Sequence, residues 1–322
     1  MRVSVKPLLD TSNPKLEEDY SITYQMTVVS QGTSSGNSSP ANVTLGYGPP
    51  THEELLSHYP AKFTWEQLKT FVNSGDLGLL KRDRMLQRRY NEWAKGIKVG
   101  YGSMVNYLLS YRLQWGKPDK LSKLKSRLDL TPFMKSTSVE NESLGGHSDG
   151  EITTPTGQLP PIPAGTKNYF TADISPSLVS IIQNDWPYSV PANIEHTLIW
   201  TVLPILPPDL PPSIGPRLHQ DGLWGFTGQS PDSPPPSPSL IRSCLPALAE
   251  WGVTEDSLVR SPKGSAEDEE LVRSVAAEIH NFVRARWVES DWETAWFVNP
   301  PRLQSVPGLA HIHVFARYKS SD

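Results

Sequence analysis

The clearest periodic pattern in the chain is an apolar stripe at helical spacing between residues 267 and 287. Its members recur every three or four positions: Leu271, Val272, Val275, Ile279, Phe282 and Val283. This spacing places them on one face of an α-helix. Shorter helices are predicted over 64–72, 77–94, 103–115 and 176–183. The first of these opens with a capping-box pattern formed by Thr64 and Gln67.

Three short runs have the composition of β-strands. They cover residues 196–202, 294–298 and 309–316 and are rich in β-branched, aromatic and other apolar residues. The loop between the last two runs is short, which favours antiparallel pairing of those strands. The chain is therefore predicted to have an α+β fold, in which N-terminal helices precede an antiparallel sheet.

Stretches without periodicity divide this core. The chain holds 31 prolines and 22 glycines, many of them concentrated in these stretches. The predicted irregular segments are a disordered N-terminal tail (1–50), a flexible insertion (117–168) and a Pro-rich, mostly disordered insertion (204–265). The predicted folded segments are the helical N-terminal part (51–116), the first part of the sheet (169–203) and the C-terminal part with the last strand (266–319).

Composition narrows the classes of function and location. The net charge of −4 gives no general attraction to nucleic acid or anionic membranes, so neither is expected as a partner. The single cysteine, Cys244, excludes an intramolecular disulfide and a multi-cysteine zinc site. The N-terminus lacks a secretory apolar region, and no apolar run approaches about 18 residues. A cytoplasmic protein is expected, and a nuclear one is also compatible with this pattern.

The last predicted strand carries the candidate chemistry. His311 and His313 lie two residues apart, so a strand directs both imidazoles to one face. Imidazole pairs suit proton transfer, nucleophilic attack and metal binding. The alternative is a half-exposed strand without chemistry. A metal site with His196 is the weaker hypothesis, because no Asp or Glu in that strand completes a facial triad. No metal and no cofactor are assigned.

Six short blocks, distributed over residues 52–319, carry a family resemblance. They are Trp65-x-x-Leu68, Arg89-Tyr90-x-x-Trp93, Tyr101-Gly102-Ser103-x-x-Asn106-Tyr107, Arg112-Leu113-x-Trp115-Gly116, Asn184-Asp185-Trp186-Pro187-Tyr188 and His311-Ile312-His313-Val314. In this order they resemble the fungal family named after N-acetylglucosamine-induced protein 1. The resemblance implies a fungal cytoplasmic protein connected with the amino-sugar response, in a family without an established activity. It supplies no mechanism.

A second resemblance concerns chemistry. The strand from His196, the helix at 267–287, Val298-Asn299, the loop Gln304-Ser305-Val306 and the His311–His313 strand follow one another as in histidine-triad (HIT) nucleotide-binding domains. The resemblance implies a HIT-like sheet that binds a nucleotide or sugar-nucleotide phosphate. If the protein is an enzyme, it implies a hydrolase or transferase that uses the histidine strand.

The same resemblance suggests roles for individual residues. Asn299, Gln304 and Ser305 would contact phosphate or ribose oxygens. Trp186 and Tyr188 would line a base pocket, or else close the edge of the core. His196 would join the histidine pair, or else have a purely structural role.

A separate basic run in the predicted second helix is either a solvated helix face or a phosphate-contacting surface; its members are Lys81, Arg82, Arg84, Arg88 and Arg89. The same question applies to Arg112, which flanks an aromatic residue.

One histidine of the triad is missing, which leaves two registers. If His311 and His313 fill the second and third positions, Leu309 replaces the first and His311 is the nucleophile. In the other register Phe315 replaces the third histidine and His313 is the nucleophile. The first register is preferred, because His-Ile-His-Val-Phe-Ala matches the usual ending of the motif. Its distance from Val306 is also closer to the family's spacing.

The loop before the strand departs from the HIT pattern. Pro300 and Pro301 stand where glycines usually approach the phosphate, and proline removes two N–H donors. Two functions therefore stay open: phosphate-ester binding with hydrolysis, or non-catalytic binding or regulation on the same fold. Histidines open to a cleft favour the first, and histidines closed under tryptophans favour the second. The oligomeric state is not determined by these patterns.

Overall fold

A five-stranded antiparallel sheet lies at the centre of the fold. The computed structural model describes residues 43–130, 157–230, 234–261 and 264–319. The strands are β1 (Val179–Gln183), β2 (Ile194–Thr201), β3 (Leu223–Thr227), β4 (Trp292–Val298) and β5 (Ala310–Tyr318). Their order across the sheet is β1-β2-β5-β4-β3, and every neighbouring pair is antiparallel. The predicted α+β class is confirmed, as is the antiparallel pairing of the last two strands.

Seven α-helices accompany the sheet in the described ranges. They are α1 (His52–His58), α2 (Trp65–Asn73), α3 (Arg84–Tyr101), α4 (Met104–Tyr107), α5 (Gly215–Asp221), α6 (Ile241–Leu248) and α7 (Ala266–Arg286). A π-helical turn, Leu108–Arg112, continues α4. None of the helices in these ranges combines the length and apolar content needed to cross a bilayer.

The two faces of the sheet are covered by different helices. On one face, Ile199, Ile312 and Val314 pack with Ile279 and Val283 of α7, so the predicted apolar stripe lies in the core. The opposite face carries the histidines and is covered by the N-terminal helices. There, Leu68 and Phe71 of α2 pack with Ala295, Phe297 and Phe315, and Trp93 of α3 packs with Trp186 and Trp200. The histidine side chains of β5 thus lie between the sheet and the N-terminal helices.

Local signals placed several helices correctly. The capping box before α2 is present: the Gln67 N–H donates to Thr64 Oγ1 over 3.2 Å, and the Thr64 N–H donates to Gln67 Oε1 over 2.9 Å. The helix predicted over 77–94 instead begins at Arg84, because Asp83 caps it by accepting from the N–H groups of Met85 and Leu86. It continues to Tyr101.

The prediction of a helix over 176–183 is wrong. A single 3-10 turn, Pro176–Leu178, leads directly into β1, which pairs with β2 from Val179 opposite Thr201 to Gln183 opposite Thr197. The β-branched residues Val179, Ile181 and Ile182 fit a strand better than a helix. Tertiary pairing therefore decides this element.

The prediction that the segment 204–265 is mostly disordered also needs correction, because the segment contains regular structure. Strand β3 pairs with β4, and the helices α5 and α6 also lie in this segment. Gly225 permits close packing there, since a Cβ at that position would lie 2.5 Å from the Trp296 ring. Deleting 222–240, expected to be tolerated if the segment is disordered, would remove β3.

Part of the predicted insertion 117–168 also contacts the core. Asp119 accepts from Arg112 and from the Gln183 N–H, and Ser126 donates to Glu195. Residues 131–156 of this insertion, and residues 1–42 of the predicted N-terminal tail, lie outside the described residues. The other domain boundaries stay predictions.

A buried ionic network ties α2 to the sheet. Lys69 is fully buried, and its Nζ lies 2.9 Å from Glu293 Oε1 and 3.0 Å from Glu66 Oε1. Arg317 also contacts Glu293. Burial opposes the charge on Glu293, but the hydrogen bond from Lys69 and further contacts outweigh it, so the pKa of Glu293 is lowered from the ordinary 4.5.

This network makes a pH-dependent prediction. The folded state holds Glu293 ionised more strongly than the unfolded chain does, so its contribution is complete above pH 4.5 and is lost as the pH falls through the lowered pKa. Glu293→Gln should reduce the free energy of unfolding at pH 7 by about 3 kcal/mol, since Lys69 loses its buried partner. Below pH 4.5 this difference should shrink.

Urea unfolding of wild type and Glu293→Gln at pH 7 and pH 4 measures this effect. The matched control is Glu92→Gln, which removes an exposed carboxylate paired with Lys95. The control should stay within about 0.5 kcal/mol of wild type at both pH values. A difference for Glu293→Gln that is the same at both pH values would contradict the assignment.

Candidate functional site

Strand β5 places His311 and His313 on one face, with ring centroids 5.1 Å apart. His196 lies on the neighbouring strand β2, and its Nε2 is 3.0 Å from Nδ1 of His313. The expected common face of the pair and the adjacent position of His196 are both confirmed. The three imidazoles form one cluster that joins β2 to β5.

Burial favours the neutral form of all three imidazoles. The exposed fractions are 3% for His196 and 6% each for His311 and His313. Burial lowers the pKa of His311, and lowers the pKa of His196 and His313 well below the usual range. The positive charge of Arg82 lowers the pKa of His196 and His313 further. A neutral imidazole has one donor and one acceptor nitrogen, so the hydrogen bonds assign each tautomer.

The tautomers of His196 and His313 follow from a fixed main-chain donor. The Tyr188 N–H donates to His196 Nδ1 over 3.2 Å, so His196 carries its proton on Nε2 and donates it to His313 Nδ1. His313 then carries its proton on Nε2, which lies 3.2 Å from the side-chain amide of Asn299. An acceptor is required there, whereas the structure has Nδ2 of Asn299 at this distance. Exchanging the nearly equivalent oxygen and nitrogen of the amide would direct Oδ1 to His313 and turn the NH2 group away. Both nitrogens of His313 are therefore occupied.

His311 differs from the other two histidines. Its Nδ1 donates to the main-chain carbonyl of Leu309 over 3.0 Å, which places the proton on Nδ1 and the lone pair on Nε2. No hydrogen bond to Nε2 is formed by the described residues. The ring packs against Trp200, with centroids 4.3 Å apart and ring planes inclined by 30°, and this contact holds its orientation. His311 thus presents a neutral, unshared nitrogen, which is the form of imidazole that acts as a nucleophile.

His311 borders two cavities, of about 280 Å³ and about 420 Å³. Residues singled out from the sequence line the smaller one: Trp186, Tyr188, Asn299, Ser305, His311 and His313. The larger one is lined by Asn299, Gln304 and His311, together with mostly apolar residues. Ser305 is exposed, which places it where the smaller cavity meets the surface.

His196 and Gln304 take supporting positions. His196 lines neither of these two cavities but borders a third, of about 500 Å³, and it contacts His313, so the structure does not bring it beside the unshared nitrogen of His311. Gln304 Nε2 donates to the main-chain carbonyl of Asn299 over 3.1 Å, and this bond holds the loop between β4 and β5. Trp186 is packed between Tyr90 and Trp93, so it closes the core and lines the cavity at once. Tyr188 stacks on His313 at 5.9 Å.

Buried polar atoms without a partner in the described part of the chain occur around the smaller cavity. They are Trp186 Nε1, Trp200 Nε1 and Asn299 Oδ1, and all three residues line it. Most buried polar groups in folded proteins are hydrogen-bonded. If the Asn299 amide is oriented to accept from His313, the third free group becomes its NH2. The walls then offer three N–H groups, which suit a ligand with oxygen acceptors.

The basic residues considered from the sequence have different surroundings, and Arg84 and Arg88 are exposed, as a solvated helix face requires. Arg89 pairs with Glu54, and Arg112 is enclosed by Asp119 and Asp185, so both charges are neutralised within the protein. Arg82 instead lines the cavity of His311. Nothing in the local sequence distinguishes it from its basic neighbours. Its position depends on contacts with Trp186, which is 104 residues away.

The described residues contain no cluster of three or more His, Cys, Asp or Glu side chains arranged to hold a metal ion. The physical reason is visible in the histidine cluster. His196 Nε2 and His313 Nδ1 share one proton across 3.0 Å, so neither lone pair converges with that of His311 on a common point. The geometry of the cluster is that of a hydrogen-bonded relay.

Comparisons with known proteins locate the chain among uncharacterised relatives. A model of the family "Protein of unknown function (DUF3605)" matches residues 64–210 and 258–317. N-acetylglucosamine-induced protein 1 of Candida albicans is 25% identical over 144 residues, which is 44% of this chain and 44% of that protein. The match thus spans less than half of the curated relative. A crystal structure of HTC1 gives a TM-score of 0.38 at 20% identity, over 80% of this chain and 86% of that one.

These comparisons support the resemblance to the N-acetylglucosamine-induced proteins. None of them supports the similarity to histidine-triad domains. The chemical interpretation of the site therefore rests on its own geometry.

Proposed function

The chain belongs to the DUF3605 family of proteins of unknown function, and we propose that this member binds a nucleotide or sugar-nucleotide phosphate and hydrolyses it through His311. The observation that carries the proposal is the hydrogen bond from His311 Nδ1 to the Leu309 carbonyl. It fixes the tautomer in which Nε2 holds the lone pair, beside two cavities. A HIT-like arrangement, with β2, β5 and β4 side by side, is part of the proposal.

The proposed reaction has two steps. In the first, the Nε2 lone pair of His311 forms a bond to phosphorus, and the bond from phosphorus to the leaving oxygen breaks with its electron pair. When the leaving oxygen belongs to a second phosphate, as in a nucleoside diphosphate or a sugar nucleotide, the leaving group departs as a phosphate anion and needs no proton from the protein. In the second, water attacks the phosphorus, the N–P bond returns its electron pair to Nε2, and one proton passes to solvent. Throughout, the proton stays on Nδ1, and its hydrogen bond to the Leu309 carbonyl stabilises the charged phosphoramidate.

The surroundings of His311 support this chemistry. Stacking against Trp200 holds the ring, and burial keeps it neutral, so no proton must be removed before attack. The indole N–H groups of Trp186 and Trp200 have no partner among the described residues and are donors toward phosphate or sugar oxygens. Asn299 adds its NH2 group when its amide oxygen accepts from His313. His313, held by His196, positions Asn299 and is not itself the nucleophile, because both of its nitrogens are engaged.

The name of the Candida relative gives the first compound to test. It records induction by N-acetylglucosamine. UDP-N-acetylglucosamine combines that sugar with a phosphate ester of the class we propose. This choice of probe rests on the relative's name alone.

A second candidate function is favoured by the loop at the end of β4. Pro300 and Pro301 offer no N–H groups, so a developing charge on phosphate would meet fewer main-chain donors than in an efficient hydrolase. The histidines are also at least nine-tenths buried under aromatic residues. On this alternative the domain binds the same ligands without turnover.

A thermal-shift and turnover screen tests the proposal. A ligand that binds the folded state raises its stability by about 2.7 kcal/mol at 100 times its dissociation constant. We expect stabilisation by UDP-N-acetylglucosamine or another nucleotide, and none by uridine or free N-acetylglucosamine, which lack phosphate. Divalent metals alone should have no effect. Asn299→Ala should weaken the binding.

The outcomes of the screen separate the candidates. Binding with slow release of products supports the hydrolase. Binding without turnover supports the non-catalytic domain. The absence of both binding and turnover for all phosphate esters would overturn the proposed function.

A further inference from the structure

Arg82 is a cation without a carboxylate partner among the described residues. Two other arginines in the N-terminal half, Arg89 and Arg112, are ion-paired with Glu54 and with Asp119 and Asp185. The partners of Arg82 are neutral: its Nε and Nη2 donate to the Trp186 carbonyl over 3.0 and 2.8 Å, and its Nη1 donates to Gln87 Oε1 over 2.6 Å. Its charge is therefore not neutralised within the described core.

The guanidinium is held in a fixed orientation. It lies over the ring of Tyr90 at 4.8 Å and near that of Tyr188 at 5.9 Å. The two hydrogen bonds to one carbonyl and the third to Gln87 fix its plane. A guanidinium has five N–H groups, so two remain for another acceptor. The arginine is thus preorganised, with charge and donors unused, at the wall of the cavity that contains His311.

Two rings separate Arg82 from His311 along the cavity wall. The guanidinium lies near the Tyr188 ring, Tyr188 stacks on His313 with centroids 5.9 Å apart, and the His313 and His311 rings are 5.1 Å apart. The cavity therefore has two separate polar positions: the unshared nitrogen of His311 and the cation of Arg82. A ligand that fills about 280 Å³ and contacts both would carry negative charge beyond the phosphorus atom that His311 attacks.

We propose that Arg82 binds the second phosphoryl group of a diphosphate ligand, so that the substrate class of this site is diphosphates and not monophosphate esters. The proposal rests on the proposed function, because it takes His311 as the position of the first phosphoryl group. A guanidinium matches phosphate oxygens with two parallel N–H bonds, and an anion there neutralises the partly buried charge. Tyr90, Tyr188 and Gln87 then serve to hold Arg82 in place.

Isothermal titration with UDP and UMP tests the role of Arg82. Wild type should bind UDP at least about tenfold more tightly than UMP, because a charge-assisted hydrogen bond is roughly twice as strong as one between neutral groups. Arg82→Met should remove this preference and leave the UMP affinity within about twofold. Arg82→Lys keeps the charge without the planar donor pair and should keep part of the preference. The matched control is Arg88→Met, an exposed position on α3, which should behave as wild type.

The comparison of two ligands separates recognition from folding. A variant that is merely distorted loses affinity for UDP and UMP alike, whereas loss of a phosphoryl contact affects UDP alone. If Arg82→Met does not fold, a reduced preference in Arg82→Lys supports the proposal and an unchanged preference overturns it. An unchanged UDP preference in folded Arg82→Met overturns the role of Arg82 and leaves the proposed function standing. If wild type binds neither UDP nor UMP but binds another phosphate ester of the screen, this inference fails and the proposed function stands. If it binds no phosphate ester at all, both fail.

Discussion

Replacing His311 with alanine should abolish hydrolysis of any phosphate ester that the protein turns over, with a fall in kcat of at least about 1,000-fold. The imidazole acts on the phosphorus in the transition state, so ligand affinity should change by less than about threefold. His311 is assigned this role because its Nε2 has no hydrogen bond in the described part of the chain and lies at the cavity. Steady-state kinetics and isothermal titration on the same preparation measure the two effects.

The control for this prediction is His313→Ala. His313 is as buried as His311 and lies on the same face of β5, but its two nitrogens bind His196 and Asn299. This variant should reduce kcat less than His311→Ala does, because it disturbs the position of Asn299 and leaves the nucleophile. A larger loss in His313→Ala would move the nucleophile to His313 and favour the other register of the motif.

Replacing Arg112 with methionine should lower the free energy of unfolding by about 3–5 kcal/mol, because it leaves two enclosed carboxylates without a counter-charge. Arg112 is 2% exposed. Its Nε and Nη1 lie 2.7 Å from Asp185 and Asp119, respectively. Burial alone would lower the pKa of Arg112, but its bonds to Asp185 and Asp119 outweigh burial and raise it. Urea unfolding at pH 7 measures the loss.

A pH comparison identifies the cause of this loss. Burial raises the pKa of Asp185 even beside Arg112, and removal of the guanidinium raises it further. The folded variant then takes up a proton more readily than the unfolded chain, so its deficit should shrink as the pH falls from 7 towards 4. Arg88→Met, which changes an exposed arginine, should stay within about 0.5 kcal/mol of wild type. A deficit independent of pH would indicate lost packing and not an uncompensated charge.

The elements that could be predicted from the sequence are those whose signals are local. The stripe of α7, the capping box of α2 and the alternating β5 each lie within a single element. The common face of His311 and His313 follows from strand geometry alone. The local α+β pattern also places β2 and β4 correctly, within about two residues of their ends.

The elements that were missed depend on residues distant in the chain. Strand β1 follows a Ser-Pro pair, Ser175-Pro176, that is typical of a helix start, and its pairing with β2 decides the outcome. Strand β3 is a five-residue aromatic run in a Pro-rich background, and only β4 gives it a partner. Arg112 contacts Asp185 across 73 positions, and Arg82 contacts Trp186 across 104. No local pattern shows which arginine meets a carboxylate and which meets a cavity.

The reactivity of the three clustered histidines tests the central claim without knowledge of the substrate. Diethyl pyrocarbonate acylates an imidazole nitrogen that has a free lone pair, and fragment-ion mass spectrometry assigns the product to each residue. The three histidines are similarly buried, so burial alone predicts similar rates. The account predicts that His311 reacts at least about tenfold faster than His196 and His313, whose acceptor nitrogens are hydrogen-bonded. Equal rates, or faster reaction of His313, would contradict it.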